Sequence, residues 1–205
     1  MKHFGHLILV IYLCCFILLS GCYPFSSSPI SSGLTNKYTL NVTPKRISKT
    51  SNRSIVLLVT QPETASVFDT NEMAYSTQRY KIAYFIQNQW AAAPSEMLQS
   101  LMVQSLRKTG YFDAVLSPPT LGSYEFLLVT QLVELKQIFY RQKSGVSLVI
   151  HAQLINARNG QIIAEKDFSD YEMAPYRTPY GGVIAANRAT SKFLNQMTRF
   201  CLRYL

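Results

Sequence analysis

The sequence predicts a single α/β (α+β) domain in which two main helices pack on a mixed, mostly antiparallel sheet. Several stretches alternate apolar and polar residues as half-buried strands do, and two others repeat apolar residues at helical spacing. Asn159-Gly160 is a strong signal for a tight hairpin turn between two long strands. Without its apolar leader (residues 1–21), the chain has 205 − 21 = 184 residues, which suffices for one domain with an apolar core.

The chain begins with the features of a bacterial export signal. Lys2 supplies a positive charge, and residues 7–19 form an unbroken apolar run. This run is shorter than the about 20 apolar residues of a transmembrane helix and has the length and flanks of a signal-peptide core. A retained membrane anchor is the lesser alternative, because no Lys/Arg cluster follows Ser20-Gly21 to stop transfer.

The leader ends in four residues that resemble a lipobox, which is an aliphatic residue, two small residues and a cysteine: Leu19, Ser20, Gly21 and Cys22. The resemblance predicts cleavage before Cys22 and its modification by diacylglycerol and an acyl chain such as palmitate. Two or more chains anchor a protein stably to a membrane. The alternative is an ordinary secretory signal cut near Gly21, with Cys22 as an incidental thiol.

Residues 23–36 are rich in serine, proline and glycine, which predicts a flexible tether. Fully extended, its 36 − 22 = 14 residues reach about 45–50 Å at roughly 3.3–3.6 Å each. As a flexible coil they span about 20 Å. The predicted organisation is a signal peptide over 1–21, a lipidated cysteine and tether over 22–36, and a folded domain over 37–205.

Charge and cysteine content narrow the classes of function. After removal of Lys2, 20 − 1 = 19 Lys and Arg stand against 11 Asp and Glu, a formal charge of 19 − 11 = +8. These charges are scattered, which argues against nucleic-acid binding and leaves a generally basic surface or a mild attraction to anionic lipid or an acidic partner. Cys14 and Cys15 leave with the leader and Cys22 is modified, so no intramolecular disulfide can form. Cys201 falls on the apolar face of the last helix, where we expect a buried, unreactive thiol.

The first half of the domain is predicted to contain four short strands and a helix. The strands cover residues 37–42, 54–60, 73–75 and 79–86. In the fourth, alternate residues from Tyr80 to Ile86 are expected to share one face. Residues 90–94 open a helix that runs to about Thr109, with Pro94 at a first helical position.

Trp90, the only tryptophan, lies at the corner between the fourth strand and this helix. Such a residue more often packs a helix onto a sheet, but it can also anchor a partner protein, so Trp90 is a candidate partner contact. The apolar stripe of the helix is Met97, Leu98, Leu101, Met102 and Leu106.

The second half is predicted to form four further strands and a last helix. The strands cover residues 111–116, 124–140, 146–156 and 161–171. In the third, alternate residues point to one side: Val146, Leu148, Ile150, Ala152 and Leu154. After a loop over 175–182, the last helix runs to about Tyr204 with an apolar stripe of Val183, Ala186, Ala189, Phe193, Met197, Phe200 and Tyr204.

The loop before the last helix is aromatic and proline-rich. Tyr176 and Tyr180 lie in it beside Pro175 and Pro179, with no base or nucleophile as a neighbour. Packing is one role for these tyrosines, and contact with a partner is the other. We therefore treat Tyr176 and Tyr180 as candidate partner contacts.

The sequence does not predict an enzyme, a metal site or a cofactor other than the lipid on Cys22. His151 is the only histidine after the leader, and without a cysteine pair it cannot form a usual zinc site. Glu165 and Asp167 share a strand face, which indicates a solvated surface; calcium binding is a remote alternative without the regular loop spacing. The chain has no nucleophile elbow and no glycine-rich phosphate loop.

Seven short sequence features follow one another along the chain, each of low specificity by itself. They are the lipobox at Cys22, Tyr38-Thr39-Leu40, the apolar strand 55–59, Met73-Ala74-Tyr75-Ser76, the helix opening Trp90-Ala91 with Pro94 and Leu98, the strand 126–135, and the Ala-rich last helix 185–202. In this order they resemble the ABC-type transport auxiliary lipoprotein family, the PqiC-like lipoproteins associated with MCE (Mla-type) systems. The Trp-Ala opening is the most specific motif, although here it carries an insertion and lacks the acidic residue common before the proline.

The resemblance implies a role in transport. Such lipoproteins work with an ABC permease, its ATPase and an MCE-domain protein that forms a periplasmic conduit for phospholipid or another hydrophobic compound between the inner and outer membranes. The lipoprotein would dock the conduit at the outer membrane, and the resemblance to related lipoproteins leaves a ring-like homo-oligomer open. Tyr23, in place of an Asp after Cys22, implies sorting to the periplasmic face of the outer membrane.

Two other classes of function stay open. A structural or assembly lipoprotein of another cell-envelope secretion or export apparatus would copurify with an outer-membrane pore. A periplasmic enzyme would require a pocket of converging polar groups, which the sequence does not suggest. Adjacent genes for an MCE protein, a permease and an ATPase would favour the transport role.

Overall fold

A computed structural model describes residues 34–42 and 53–205. The predictions made for Leu19, Ser20, Gly21 and Cys22, and for most of the tether, lie outside these residues. The described elements, in chain order, are β1 (Asn36–Tyr38), β2 (Arg53–Val59), β3 (Glu63–Thr64), β4 (Glu72–Ser76), β5 (Ala83–Trp90), α1 (Pro94–Arg107), β6 (Phe112–Leu116), β7 (Phe126–Tyr140), β8 (Lys143–Asn156), β9 (Ile162–Met173) and α2 (Pro179–Tyr204).

The long strand β7 is the centre of the sheet. On one side it pairs antiparallel with β8 over its whole length, and β8 pairs antiparallel with β9. On its other side β7 pairs in parallel with β2, then β3, then β4. The sheet continues from β2 to β6 in parallel, and from β4 through antiparallel β5 to parallel β1. The predicted single α+β domain is therefore confirmed, with a mixed sheet of nine strands and two helices among the described residues.

One apolar core lies between the sheet and the two helices. α1 packs against β2 and β6, α2 packs against β8 and β9, and the helices contact each other. The inward row predicted for β8, from Val146 to Leu154, is buried. On α2 the rings of Phe193 and Phe200 meet Phe168 of β9 edge-on, with centroids 5.4 and 5.9 Å apart. The apolar stripe of α2 thus packs on β9 through aromatic rings, and Tyr204, at the end of the stripe, is half-exposed.

The predicted helix is present as α1 but starts later than residues 90–91. Pro94 occupies the first turn, where its missing N–H leaves no hydrogen bond unmade. Trp90 instead ends β5, and its N–H donates to the carbonyl oxygen of Asn71 at 2.7 Å. At the other end, Arg107 donates two hydrogen bonds to the carbonyl oxygen of Val115 at 3.0 and 2.7 Å, which fastens α1 to β6.

The first strand is shorter than predicted. β1 ends at Tyr38, and the chain then leaves the sheet so that Leu40 enters the core. The backbone N–H of Asn41 donates to the Oδ1 of Asn187 on α2 at 2.8 Å. A helix side chain therefore takes the place of a strand partner, and alternation alone could not show this.

The strand predicted over 79–86 is shifted towards the C-terminus. Tyr80 has a φ of 63°, a left-handed conformation that ends strand pairing, so residues 77–82 form the connection between β4 and β5. Between the pairs Glu72/Gln89 and Ala74/Tyr84, β5 holds three more residues than β4. This irregularity leaves Ile86 exposed, so the single shared face expected from Tyr80 to Ile86 is wrong.

Over residues 34–42 and 53–205, none of the helices combines the length and the apolar character that a membrane span requires.

Candidate interaction surface at one end of the sheet

The structure separates the three candidate partner contacts. Trp90 is 4% exposed and belongs to the core, whereas Tyr176 and Tyr180 are 62% and 54% exposed. The ring of Tyr180 lies 6.0 Å from that of Tyr38 in β1. Tyr176 and Tyr180 therefore lie on an accessible surface at the start of α2, while Trp90 packs within the domain.

Phe139, near the end of β7, contacts aromatic residues of β4 and β5 and an arginine of the β9–α2 loop. The Phe139 ring lies 5.8 Å from Tyr75 and 6.2 Å from Phe85, and the Cζ of Arg177 lies 5.2 Å from its centroid. An open groove of about 640 Å³ runs between the β4–β5 connection and the end of β7. We call this region the aromatic–basic end; it comprises Arg79, Tyr80, Lys81, Phe139, Tyr140, Arg141, Lys143, Tyr176, Arg177 and Tyr180.

Two turns with left-handed residues project aromatic side chains from this end. Tyr80 has a φ of 63° and is fully exposed. Arg141, in the β7–β8 turn, has a φ of 48°, and its guanidinium carbon lies 5.4 Å from the ring of Tyr140. Such conformations are unusual for bulky residues and mark segments worth functional inspection.

The aromatic–basic end carries a concentrated positive charge. It holds five basic residues (Arg79, Lys81, Arg141, Lys143 and Arg177), and the stretches 77–82, 139–145 and 174–180 contain no Asp or Glu. Among the ion pairs of the described residues, none involves any of these five. The nearest pair in the groove joins Lys136 to Glu134 at 2.6 Å, further along β7. Five cations without carboxylates favour an anionic partner.

A buried glutamine holds the segments of the aromatic–basic end together. The Nε2 of Gln137 donates to the Oγ of Ser144 on β8 and to the carbonyl oxygen of Thr178, both at 3.1 Å. Thr178 caps α2, since its Oγ1 accepts a hydrogen bond from the N–H of Gly181 at 3.1 Å. β7, β8 and the start of α2 are therefore connected through one side chain.

Two glycines permit the close approach of α2 to this region. A Cβ on Gly181 would collide with the carbonyl oxygen of Tyr176, and one on Gly182 would collide with the side chain of Gln137. The loop that carries Tyr176 therefore packs directly against the first turn of α2.

Elsewhere, the polar residues considered in the sequence lie on open surface. The Nδ1 of His151 lies 2.7 Å from the Oδ1 of Asp167 on the exposed face of β8 and β9. In the described part of the chain, no three His, Cys, Asp or Glu residues gather as metal ligands. Cys201 is buried, as expected, and burial raises the pKa of its thiol to about 12.

Sequence reasoning found Tyr176 and Tyr180 but missed the rest of this surface. The signal is present as Arg79-Tyr80-Lys81 and Tyr140-Arg141-Gln142-Lys143, in which an exposed tyrosine lies next to basic residues. The alternation over residues 79–86 instead predicts a strand that contains the first motif. The two lie 60 residues apart, counted from residue 80 to residue 140, and only strand pairing brings them to one end of the sheet.

Comparison with known proteins identifies the family. Residues 38–198 match the model of the ABC-type transport auxiliary lipoprotein component family. Protein XCC0632 from Xanthomonas campestris has a similar crystal structure, with a TM-score of 0.73, 16% identity, and coverage of 83% of this chain and 95% of that chain. A second crystal structure, of an uncharacterized protein, gives a TM-score of 0.64 at 17% identity over 82% and 99% of the two chains.

A PelC dodecamer from Paraburkholderia phytofirmans shows a lower likeness, with a TM-score of 0.45 and 11% identity over 75% and 94% of the two chains. No curated protein sequence matches the chain. At these identities the structural likeness shows the fold alone, whereas the family model matches more than half of the chain. This protein therefore belongs to the ABC-type transport auxiliary lipoprotein component family and is an auxiliary lipoprotein component of an ABC-type transport system.

Proposed function

We propose that this protein is a lipid-anchored periplasmic accessory component of an MCE-type ABC transport system, which moves phospholipid or another hydrophobic compound between the inner and outer membranes. In this role it docks the MCE conduit at the outer membrane. The observation that carries the proposal is the family match over residues 38–198, directly after a lipobox and a tether-like stretch. The chain has no phosphate-binding loop, so ATP hydrolysis belongs to a partner ATPase.

The anchor in this proposal is Cys22, cleaved from residues 1–21 and carrying diacylglycerol and an acyl chain. Several acyl chains on one cysteine give stable membrane attachment. Tyr23 supports sorting to the periplasmic face of the outer membrane. Residues 22–36 would then act as the tether of a domain that begins at about residue 37.

We assign contact with a partner to the aromatic–basic end. Tyr176, in the β9–α2 loop, and Tyr180, in the first turn of α2, are exposed, and Gln137 is hydrogen-bonded to the Thr178 carbonyl between them. Trp90 is not part of this surface, since its side chain is buried in the apolar core. Its proposed role is to maintain the fold behind the contact surface.

The proposal is tested by crosslinking in living cells. A lysine-reactive crosslinker applied to cells with the tagged, lipidated protein should give an adduct in which mass spectrometry identifies an MCE-domain protein. Deletion of the gene should disturb the lipid asymmetry of the outer membrane. Unchanged asymmetry together with the absence of the MCE adduct would contradict the transport role.

A second candidate function is a structural or assembly role in another secretion or export apparatus of the cell envelope. The two functions share the lipobox and the tether, so the identity of the crosslinked protein separates them. An adduct with an outer-membrane pore, and none with an MCE protein, would favour the assembly role.

A further inference from the structure

We infer that the aromatic–basic end binds the anionic phospholipid surface of the membrane in which Cys22 is anchored. This inference rests on the proposed lipid anchor and names the partner of the proposed contact surface. It gives the domain a defined orientation on the membrane.

The first support is charge complementarity. The five basic residues of this end come from three segments of the chain: Arg79, Lys81, Arg141, Lys143 and Arg177. Arg79 and Lys81 line the groove beside Phe139, and Arg177 lies over the Phe139 ring. No carboxylate lies within these segments to neutralise them. Basic residues close to an anionic leaflet are attracted to it individually, and several together give a substantial affinity. Several basic residues on one surface fit the many phosphate groups of a lipid leaflet better than they fit a single acidic side chain.

The second support is the kind of apolar residue exposed among these charges. Tyr80, Tyr140, Tyr176 and Tyr180 are exposed, whereas Phe139 is half-buried. Tyrosine prefers the boundary between water and lipid headgroups, because its ring is apolar and its hydroxyl is polar. Exposed tyrosines between lysines and arginines are thus suited to shallow contact with headgroups.

The third support is the direction of β1. β1 runs parallel to β5, with Asn36 opposite Asn88 and Tyr38 opposite Trp90. β5 begins at Ala83, beside the β4–β5 connection of the aromatic–basic end. The first residue of β1, Asn36, is therefore the one that lies nearer to the start of β5.

The length of chain before β1 agrees with this placement. From Asn88 back to Ala83 are five residues, or at most about 17 Å at roughly 3.3–3.4 Å per residue. The 36 − 22 = 14 residues between Cys22 and Asn36 span about 20 Å as a coil. The length of the proposed tether is therefore compatible with contact between the aromatic–basic end and the membrane that holds the proposed anchor.

The test measures vesicle binding without the contribution of the anchor. The mature chain from residue 22, carrying Cys22→Ala, is sedimented with vesicles of equimolar phosphatidylcholine and phosphatidylglycerol, and with vesicles of phosphatidylcholine alone. We expect binding to the anionic vesicles only, weakened by salt because screening shortens the range of the attraction. The variant Lys81→Ala/Lys143→Ala should bind the anionic vesicles about thirtyfold more weakly, from about 1 kcal/mol for each basic residue.

The matched control is Arg158→Ala/Arg188→Ala. It removes the same charge from exposed positions in the β8–β9 turn and on α2, outside the aromatic–basic end. The control should bind within about twofold of the parent, and Trp90 fluorescence should show that both variants are folded. Equal loss in the two variants, no loss in Lys81→Ala/Lys143→Ala, or no binding to anionic vesicles by the parent would each overturn the inference.

The crosslinking experiment distinguishes a failure of this inference from a failure of the proposed function. The variant Arg79→Ala/Arg141→Ala removes two charges from this end and keeps both lysines for the crosslinker. If this variant binds vesicles normally but loses its crosslink to the transport partner, this end docks a protein, and the membrane inference is wrong. If vesicle binding follows the prediction while no MCE protein is captured, the proposed transport function fails and the membrane contact stands.

Discussion

Gln137 provides the most direct test of how the aromatic–basic end is held together. Its side chain is 3% exposed, and its Nε2 bridges Ser144 on β8 and Thr178 at the start of α2. Leucine has a similar volume but no hydrogen-bonding atoms. The substitution Gln137→Leu therefore removes the two hydrogen bonds and leaves the packing nearly unchanged.

The expected loss follows from the partners that remain. The Thr178 carbonyl still accepts the hydrogen bond from the N–H of Gly182 at 3.1 Å. The loss of its second hydrogen bond, from Gln137, therefore costs about 1 kcal/mol. The Ser144 hydroxyl is buried and loses its partner, which costs about 1–2 kcal/mol. The Oε1 of Gln137 is buried without a partner among the described residues, and removal of this atom offsets about 1 kcal/mol. The net decrease in the free energy of unfolding should be about 1–2 kcal/mol.

Urea unfolding monitored by Trp90 fluorescence measures this difference, because Trp90 is the only tryptophan and is buried. With a slope of about 2 kcal/mol per molar urea, the midpoint should fall by about 0.5–1 M at unchanged slope. The control Gln131→Leu makes the same change at an exposed position of β7 and should stay within about 0.5 kcal/mol of the parent. An unchanged midpoint for Gln137→Leu, or an equal shift in the control, would refute the reasoning.

Three further predictions concern a glycine, a thiol and the anchor. Gly181→Ala should lower the free energy of unfolding by about 1–3 kcal/mol, because its Cβ meets the fixed carbonyl of Tyr176. The control Gly122→Ala, whose Cβ meets a movable methyl group, should cost less than about 1 kcal/mol. Equal costs for the two variants in thermal unfolding would contradict this prediction. The pKa of the Cys201 thiol is raised to about 12, so the folded state binds a proton that the unfolded state loses above about 9. Relative to Cys201→Ala, stability should therefore fall by about 1.4 kcal/mol per pH unit as the pH rises from 9 towards 12, and a pH-independent difference would contradict burial. Cys22→Ala should leave the circular dichroism unchanged, abolish transport function and give a protein that high salt removes from membranes; an active variant that only detergent extracts would argue against lipidation.

Local patterns in the sequence were sufficient for the elements that pack most regularly. The alternation from Val146 to Leu154 required a strand with one buried face, and Asn159-Gly160 required a hairpin turn. Gly160 has a φ of 73°, a conformation that glycine adopts without strain, so the turn forms where these two residues stand. Pro94 likewise lies in the first turn of α1, since it needs no hydrogen-bond acceptor there.

Elements whose partners lie far along the chain were predicted less well. β1 ends early because Asn187, on the last helix, supplies the hydrogen bond that a strand would have supplied. β5 starts late because residues around Tyr80 form a turn whose position depends on pairing with β4 and on the end of β7. Neither cause is visible within a window of ten or fifteen residues.

The sequence by itself determined the fold class, the family and the anchoring hypothesis, because each depends on residue types at short spacing: an apolar run before Cys22, alternation in strands and periodicity in helices. The contact surface was decided only by the tertiary structure. Parallel and antiparallel pairing with β7 brings Tyr80, Tyr140 and Arg177 to one end of the sheet, although they are separated widely in the chain. The packing of the apolar core buries Trp90, which the sequence left open between packing and partner contact.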